Sequence, residues 1–228
     1  MELDLFCAPP FTTVLSPALF GAPALRLLDA AQACVDAGAS ALHIDVMDGR
    51  FAPSITFGAK VIRELKHEFG SKVLLDVHLS IEDVDARFKE YLEAGADLIT
   101  IPIETSRNPL RILESIHQAG RLGGVSLLPS TSVSAIDELL PVLDLVLVLL
   151  THCGESRMIP SSLQKARRLS LIRGRQNPRM RVGVDGGVNA GNLSAIRDAG
   201  ADWIVAASAV FSNGTAADNF GIMKSACN

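Results

Sequence analysis

Histidine and aspartate residues occur at or near the ends of three short apolar segments of the chain. His43 and Asp45 lie two residues apart in ALHIDV, so on a strand both side chains point to the same face. His78 closes LLDVH, and Asp185 closes VGVD directly before two glycines. Buried imidazole and carboxylate groups are costly unless they are paired or bound to a metal ion. If these segments are strand ends that converge, the four side chains predict a site for one divalent metal ion.

Each of these side chains alone has a simpler explanation. A single histidine fits a buried or surface residue with ordinary hydrogen bonds, and a single aspartate after a strand fits a helix N-cap. Asp48, which precedes Gly49, suits the capping role better than Asp45 does. The occurrence of all four at the ends of three strands favours the metal site. Its donor set favours zinc, with Fe(II), Mn and Co as alternatives.

A recurring Ala-Gly pair followed by an apolar run indicates the elements that must position these side chains. The pair precedes ALHIDV, DLITIPI, RLGGVSLL and DWIVAAS, as expected for a helix closed by a left-handed glycine before a strand. Runs such as LVLVLL are apolar at every position, which is typical of parallel strands buried on both faces. The 228 residues therefore predict one α/β domain over 1–228, a single (β/α)8 TIM barrel. In such barrels the active site lies at the C-terminal ends of the strands.

The same patterns predict the bounds of the elements, with a helix expected after each of eight strands. The predicted strands are 12–16, 41–46, 73–78, 97–103, 122–127, 143–150, 181–185 and 202–207. The predicted helices are 24–37, 59–69, 82–94, 108–118, 161–173, 190–199 and 216–226.

Composition narrows the class of protein. Nearly half of the residues (48%) are hydrophobic, and the net charge of −4 argues against nucleic acid or a membrane surface as a partner. The start MELDLFCAPP lacks the features of a signal peptide, and no apolar run is long enough to span a bilayer, which favours a cytoplasmic location. The cysteines show no metal-binding spacing and are expected to be reduced thiols. They are Cys7, Cys34, Cys153 and Cys227.

The segments HIDVMDGRFAPSITFG, LDVHL, VDGGVN and ASAVF resemble the ribulose-phosphate 3-epimerase family, over about residues 15–211. The resemblance implies a (β/α)8 barrel and an isomerase that interconverts ketose phosphates differing at carbon 3, chiefly ribulose 5-phosphate and xylulose 5-phosphate. It implies that His43, Asp45, His78 and Asp185 bind the metal ion. It also implies that Asp45 and Asp185 move the carbon-3 proton through an enediolate, one removing it and the other returning a proton to the opposite face. Family members are commonly dimers or hexamers, so a homo-oligomer is expected.

The resemblance also suggests substrate contacts. It implies that Met47 covers the planar intermediate, with core packing as an equal alternative, and that the sugar phosphate meets backbone groups after strands six, seven and eight. These positions are Gly154, Gly186, Gly187, Ala207 and Ser208. The loop at 151–158 is about two residues shorter than the family's NPGFGGQ, and Ala207 replaces a glycine. Arg157 is the candidate for direct contact with the substrate anion, with a solvated loop residue as the alternative.

Other departures from the family leave further readings open. The serine, methionine, asparagine and histidine that the family usually has are replaced by Ala18, Ser80, Leu128 and Pro102. Because the changes cluster on substrate contacts, one alternative is an epimerase-like barrel for a different sugar phosphate or a sugar acid. Another is a non-catalytic sugar-phosphate-binding protein. An aldol-type or decarboxylating enzyme with an Asp-x-Lys-x-x-Asp cluster is disfavoured, because the third strand here reads DVH without a lysine.

Overall fold

The structure, a computed structural model, describes residues 4–6 and 11–227. Eight strands are present in the described ranges, all parallel to their neighbours. They are β1 (Val14–Pro17), β2 (Ala41–Met47), β3 (Leu74–Ser80), β4 (Leu98–Pro102), β5 (Leu122–Leu127), β6 (Leu145–Leu149), β7 (Arg181–Asp185) and β8 (Trp203–Ala206).

The strands form one sheet in the order β1-β8-β7-β6-β5-β4-β3-β2. Its two outer strands, β1 and β2, meet through an isolated parallel bridge between Ala18 and His43. The sheet is thereby a nearly closed barrel, and the predicted (β/α)8 TIM fold is confirmed. His43, one of the predicted metal ligands, lies at this junction.

Helices surround the barrel, and the seven predicted helices are all present with small shifts of their ends. The α-helices are α1 (Leu27–Asp36), α2 (Ala59–Phe69), α3 (Val84–Glu93), α4 (Pro109–Gln118), α5 (Leu163–Gln176), α6 (Leu193–Asp198), α7 (Ser208–Phe211) and α8 (Ala216–Ala226). A 3-10 turn over Ala24–Arg26 replaces the predicted start of α1.

The connection between β5 and β6 differs from the expected α-helix. It is a 3-10 segment over Val133–Val142, whose N-terminus is capped by the Ser132 side chain. Backbone bonds there span three residues, as from Leu143 N to Leu140 O. Pro141 lies inside the segment and has no N–H to donate to an α-helical bond.

The core has two layers, which explains why the strands are apolar at every position. On β6, Leu145, Leu147 and Leu149 point into the barrel, whereas Val146 and Val148 pack against the surrounding helices. Both kinds of position are buried. The strands therefore need apolar side chains on both faces, except where function requires polar ones.

The N-terminal end of the barrel is filled by a buried ion pair. Arg181, at the start of β7, is 1% exposed, and its guanidinium donates to Leu5 O at 2.7 Å and to Asp202 Oδ1 at 3.2 Å. The same group lies 4.5 Å from the centre of the Phe11 ring. The interior of the barrel is thus closed at this end, and the active site is expected at the opposite, C-terminal end.

Two further expectations concern the cysteines and membrane-spanning helices. Cys34, Cys153 and Cys227 are free thiols, and Cys7 lies outside the described residues. In the ranges that the structure describes, no helix combines the length and apolarity that crossing a membrane requires.

Candidate active site

The alternation of side chains along three strands brings the four predicted metal ligands together. His43 and Asp45 of β2 point into the barrel beside the inward residues of β3, and Asp45 pairs in register with His78. Asp185 ends β7, across the opening. One ligand atom from each of these four residues lies within 4.8 Å of the others. The cluster predicted from the sequence is thus present at the C-terminal ends of the strands.

The two imidazoles present different nitrogens to the centre of this cluster. His43 Nε2 lies 3.2 Å from Asp45 Oδ1, whereas His78 approaches the same oxygen through Nδ1 at 3.3 Å. Each ring has a second partner on its outer nitrogen. His43 Nδ1 lies 2.7 Å from Asp76 Oδ2, and His78 Nε2 lies 3.0 Å from Ser126 Oγ. These outer contacts fix the ring planes, as is common for metal-binding histidines.

Burial and charge give the ionisable groups different proton affinities. Burial raises the pKa of Asp185 to about 6, and repulsion from Asp45 adds to this effect. Burial acts in the same direction on Asp45, but His43 and His78 outweigh it and hold the pKa of that carboxyl well below its usual range. Burial alone would lower the pKa of His43, yet Asp76 and Asp45 raise it well above its ordinary value. Two neighbouring carboxyl groups therefore differ strongly in their tendency to hold a proton.

The chemistry of this cluster fits a divalent cation. Three carboxylates, those of Asp45, Asp76 and Asp185, surround two imidazoles in a largely buried space. Oδ1 of Asp76 has no hydrogen-bond partner among the described residues, although a buried unpaired oxygen is costly. A divalent ion would offset this excess of negative charge, and imidazole with carboxylate is a donor set that Zn²⁺ and related ions accept.

A cavity of about 200 Å³ opens directly above the cluster. Asp45, His78 and Asp185 reach its wall, while His43 lies deeper and is fully buried. Six of the seven predicted substrate contacts also line it. They are Met47, Gly154, Gly186, Gly187, Ala207 and Ser208. Arg157, the seventh, is exposed and is not among the lining residues.

Sequence reasoning did not identify several residues of the site. Thr151 and Cys153 line the cavity two residues apart, directly after β6, so the alternation that singled out His43 and Asp45 could have indicated them. Burial, together with the charges of Asp185, Glu104 and Asp45, raises the pKa of the Cys153 thiol to about 11. Ser126 had no such signal, because a serine in an apolar strand is common.

Comparisons with known proteins agree with this geometry. The model of the ribulose-phosphate 3-epimerase family matches residues 14–211. A ribulose-phosphate 3-epimerase of Treponema pallidum is 39% identical, over 87% of this chain and 91% of its own. The ribulose-phosphate 3-epimerase of Escherichia coli is 33% identical, over 87% of this chain and 88% of its own.

Solved structures with low sequence identity share the fold alone. The 3-keto-L-gulonate-6-phosphate decarboxylase of Vibrio cholerae has a TM-score of 0.71 at 12% identity, covering 95% of this chain and 97% of that one. The phosphoribosyl anthranilate isomerase of Thermus thermophilus has a TM-score of 0.66 at 15% identity, covering 93% and 97%. Their activities carry no weight for this chain.

Proposed function

Because the chain belongs to the ribulose-phosphate 3-epimerase family, we propose that it is a metal-dependent ketose-phosphate 3-epimerase, an isomerase acting on ribulose 5-phosphate and xylulose 5-phosphate. The observation that carries the proposal is the convergence of two imidazoles and two carboxylates within 4.8 Å at the base of a cavity. The family relationship does not favour the alternatives of a different substrate or a non-catalytic binding protein.

The carbon-3 proton of a ketose phosphate is weakly acidic because it lies beside the carbonyl group at carbon 2. Asp45 and Asp185 are the two groups proposed to remove this proton from one face and return one to the other. Such a pair needs one ionised and one protonated member, and the opposite pKa shifts of these two carboxyl groups support this. His43, Asp45, His78 and Asp185 would hold a divalent cation, which would supply positive charge where negative charge develops on the substrate.

The remaining predicted contacts are proposed to hold the rest of the substrate. Met47 is buried on the cavity wall, where it would cover one face of the sugar. The phosphate is proposed to meet backbone N–H groups after strands β6, β7 and β8, where turns expose the peptide groups. The residues concerned are Gly154, Gly186, Gly187, Ala207 and Ser208.

Arg157 is proposed to add a charged contact to the phosphate by reaching in from the exposed loop. Arg157→Ala is expected to raise KM about tenfold, since hydrogen bonds to charged groups contribute about 1.5–3 kcal/mol, and to leave kcat nearly unchanged. Steady-state kinetics on ribulose 5-phosphate measure both constants. An unchanged KM would assign Arg157 to the solvated surface.

The identity of the metal ion, the oligomeric state and the cellular location are also proposed. Zinc is the preferred ion, with Fe(II), Mn and Co as the alternatives that elemental analysis and reconstitution would separate. A homo-oligomer is proposed from the habit of the family, and analytical ultracentrifugation tests it. A cytoplasmic location is proposed because the substrates belong to intermediary metabolism.

The deciding experiment follows exchange of the carbon-3 hydrogen in deuterated water by NMR. The wild-type protein with zinc is expected to introduce deuterium into ribulose 5-phosphate, and Asp45→Asn or Asp185→Asn is expected to slow this at least ~100-fold. Asp137→Asn, which changes an exposed carboxylate of the 3-10 segment, is the matched control and should exchange normally. Circular dichroism checks that each variant is folded. Wild-type exchange in the Asp185→Asn variant would remove that residue from the mechanism.

A further inference from the structure

We infer that Asp76 and Trp203 form a positioning pair that orients His43 for metal binding, an inference that rests on the proposed metal-dependent function. Asp76 contacts His43 directly and Trp203 contacts Asp76, and neither side chain lines the cavity. Neither contacts the reacting atoms, so both would act through the imidazole.

The contacts converge on one carboxylate oxygen. Asp76 Oδ2 lies 2.7 Å from His43 Nδ1 and 2.9 Å from Trp203 Nε1. An ionised carboxylate only accepts hydrogen bonds and the indole nitrogen only donates, so both nitrogens are donors here. All three side chains are fully buried, which keeps the arrangement away from competing water. The pair is built by β3 and β8, whose residues are 127 positions apart along the chain.

The geometry assigns a role to each hydrogen bond. A proton on Nδ1 of His43 leaves Nε2, which lies 3.2 Å from Asp45 Oδ1 among the clustered ligand atoms, as the nitrogen that would bind a metal ion. The carboxylate also increases the electron density on that imidazole. The indole N–H holds Asp76 so that the carboxylate cannot rotate away. On His78 Nε2 the corresponding partners are two neutral hydroxyls, those of Ser126 at 3.0 Å and Ser80 at 3.3 Å, so the two imidazoles are supported unequally.

Packing alone does not account for these contacts. Trp203 belongs to an apolar cluster with Val14, Leu74 and Leu98, and its ring lies 5.6 Å from the Arg181 guanidinium. An aromatic side chain without an N–H donor could make both kinds of contact. Instead a buried carboxylate is retained with its other oxygen unpaired among the described residues. That costly placement is explained if Asp76 serves the ligand above it.

Trp203 is the single tryptophan of the chain, so one indole N–H resonance reports on this contact. The experiment measures zinc dissociation constants by chelator competition for the wild type, Trp203→Phe and Asp76→Asn, and records the indole N–H resonance of the wild type and Asp76→Asn with and without zinc. Leu145→Val is the control, because it truncates another inward-facing core residue, one that has no hydrogen-bonding group in its side chain and does not line the cavity.

We expect Trp203→Phe to weaken zinc binding about tenfold and Asp76→Asn by about 10–100-fold. Leu145→Val should lower Tm and leave the zinc dissociation constant unchanged. The indole resonance should move when zinc binds to the wild type, and it should lie at a different position in Asp76→Asn before zinc is added.

Opposite outcomes separate this inference from the function on which it rests. If the wild type binds zinc and both variants bind it equally tightly, the positioning role is overturned while the epimerase proposal stands. If the wild type itself binds no divalent metal, the metal-dependent function fails and the inference fails with it. Should Asp76→Asn not fold, Trp203→Phe alone decides, because phenylalanine keeps most of the buried aromatic volume, can keep an aromatic face toward Arg181 and loses the N–H donor.

Discussion

Asp45 and Asp185 are the same type of residue, yet the barrel gives their carboxyl groups opposite proton affinities. One oxygen of Asp45 lies 3.2 and 3.3 Å from the nitrogens of two imidazoles. Among the described residues, no side chain donates a hydrogen bond to the carboxyl group of Asp185. The difference arises from the neighbours of each group, because both are removed from bulk water. The neighbours thus give two like residues the different proton affinities that their proposed proton-transfer roles require.

The raised pKa of Asp185 has a consequence for stability. In the metal-free protein this pKa, about 6 against an ordinary 3.8, means that folding favours the protonated carboxyl. The contribution is fully present below about pH 4 and is lost as the pH rises through 6. Asp185→Asn should therefore stabilise the metal-free protein at pH 8 by on the order of 1–2 kcal/mol. Thermal melts at pH 4 and pH 8 measure this, and an equal effect at both values would contradict it.

Cys153 lies on the cavity wall, but its thiol is expected to react slowly. The pKa of about 11 leaves little thiolate at pH 7, and thiolate is the reactive form. Alkylation of Cys153 by iodoacetamide should accelerate roughly tenfold for each pH unit between 7 and 10. Mass spectrometry of the Cys153 peptide follows the reaction, with denatured protein as the control. Rapid modification at pH 7 would show that the negative surroundings do not suppress ionisation.

At the scale of elements, the loop after β6 depends on the turn after β7. The loop over 151–158 is closed at its base by a bond from Ile159 N to Leu150 O, and Leu150 N in turn donates to Asp185 O. Gly187 adopts φ +67°, and a Cβ atom there would lie 2.7 Å from Ser156 O and 2.8 Å from Met158 N. Both are backbone atoms that cannot rotate away, so the glycine allows the loop to pack over the site.

Gly187→Ala is accordingly expected to displace the loop. The proposed phosphate contacts would be disturbed, so KM for ribulose 5-phosphate should rise about tenfold or more with a smaller change in kcat. Gly174→Ala on α5 is the matched control, because nothing lies within 4 Å of a Cβ atom at that position. That substitution should leave kinetics unchanged and stabilise the helix by about 0.5–1 kcal/mol. Unaltered KM in Gly187→Ala would mean that the loop does not hold the phosphate.

The elements were largely predictable because their hydrophobic patterns are strong. The bounds of β7, α2 and α8 agree with the prediction to the residue. The 3-10 form of the connection between β5 and β6 was not anticipated. Its buried residues Val133, Ile136 and Leu139 recur at a spacing that also fits an α-helix, and only Pro141 disfavours one. The metal cluster was also predictable, because side chains alternate between the two faces of a strand and so place His43 and Asp45 on the same face. The contact of Trp203 with Asp76 was beyond it, because only closure of the barrel brings β8 and β3 side chains together.

For the whole molecule, the cation is expected to contribute stability as well as activity. A ligand at a hundredfold excess over its dissociation constant stabilises the folded state by about 2.7 kcal/mol. For a chain of this size that corresponds to a rise in Tm of roughly 5–10 °C. Removing the metal with a chelator should therefore abolish epimerisation and lower Tm by this amount, and zinc should restore both. Calorimetry and the deuterium assay provide the two readouts, and activity that survives chelation would contradict the proposed chemistry.

The single bridge between Ala18 and His43 makes the junction of β1 and β2 the seam of the barrel. The proposed ligands lie on both sides of this seam. His43, Asp45 and His78 belong to β2 and β3 on one side, and Asp185 belongs to β7, which follows β1 and β8 on the other side. One ion bound by all four would tie the two flanks together where few backbone hydrogen bonds do so. Loss of the ion should thus loosen this seam before any other part of the wall, and amide hydrogens along β1 would exchange faster with solvent.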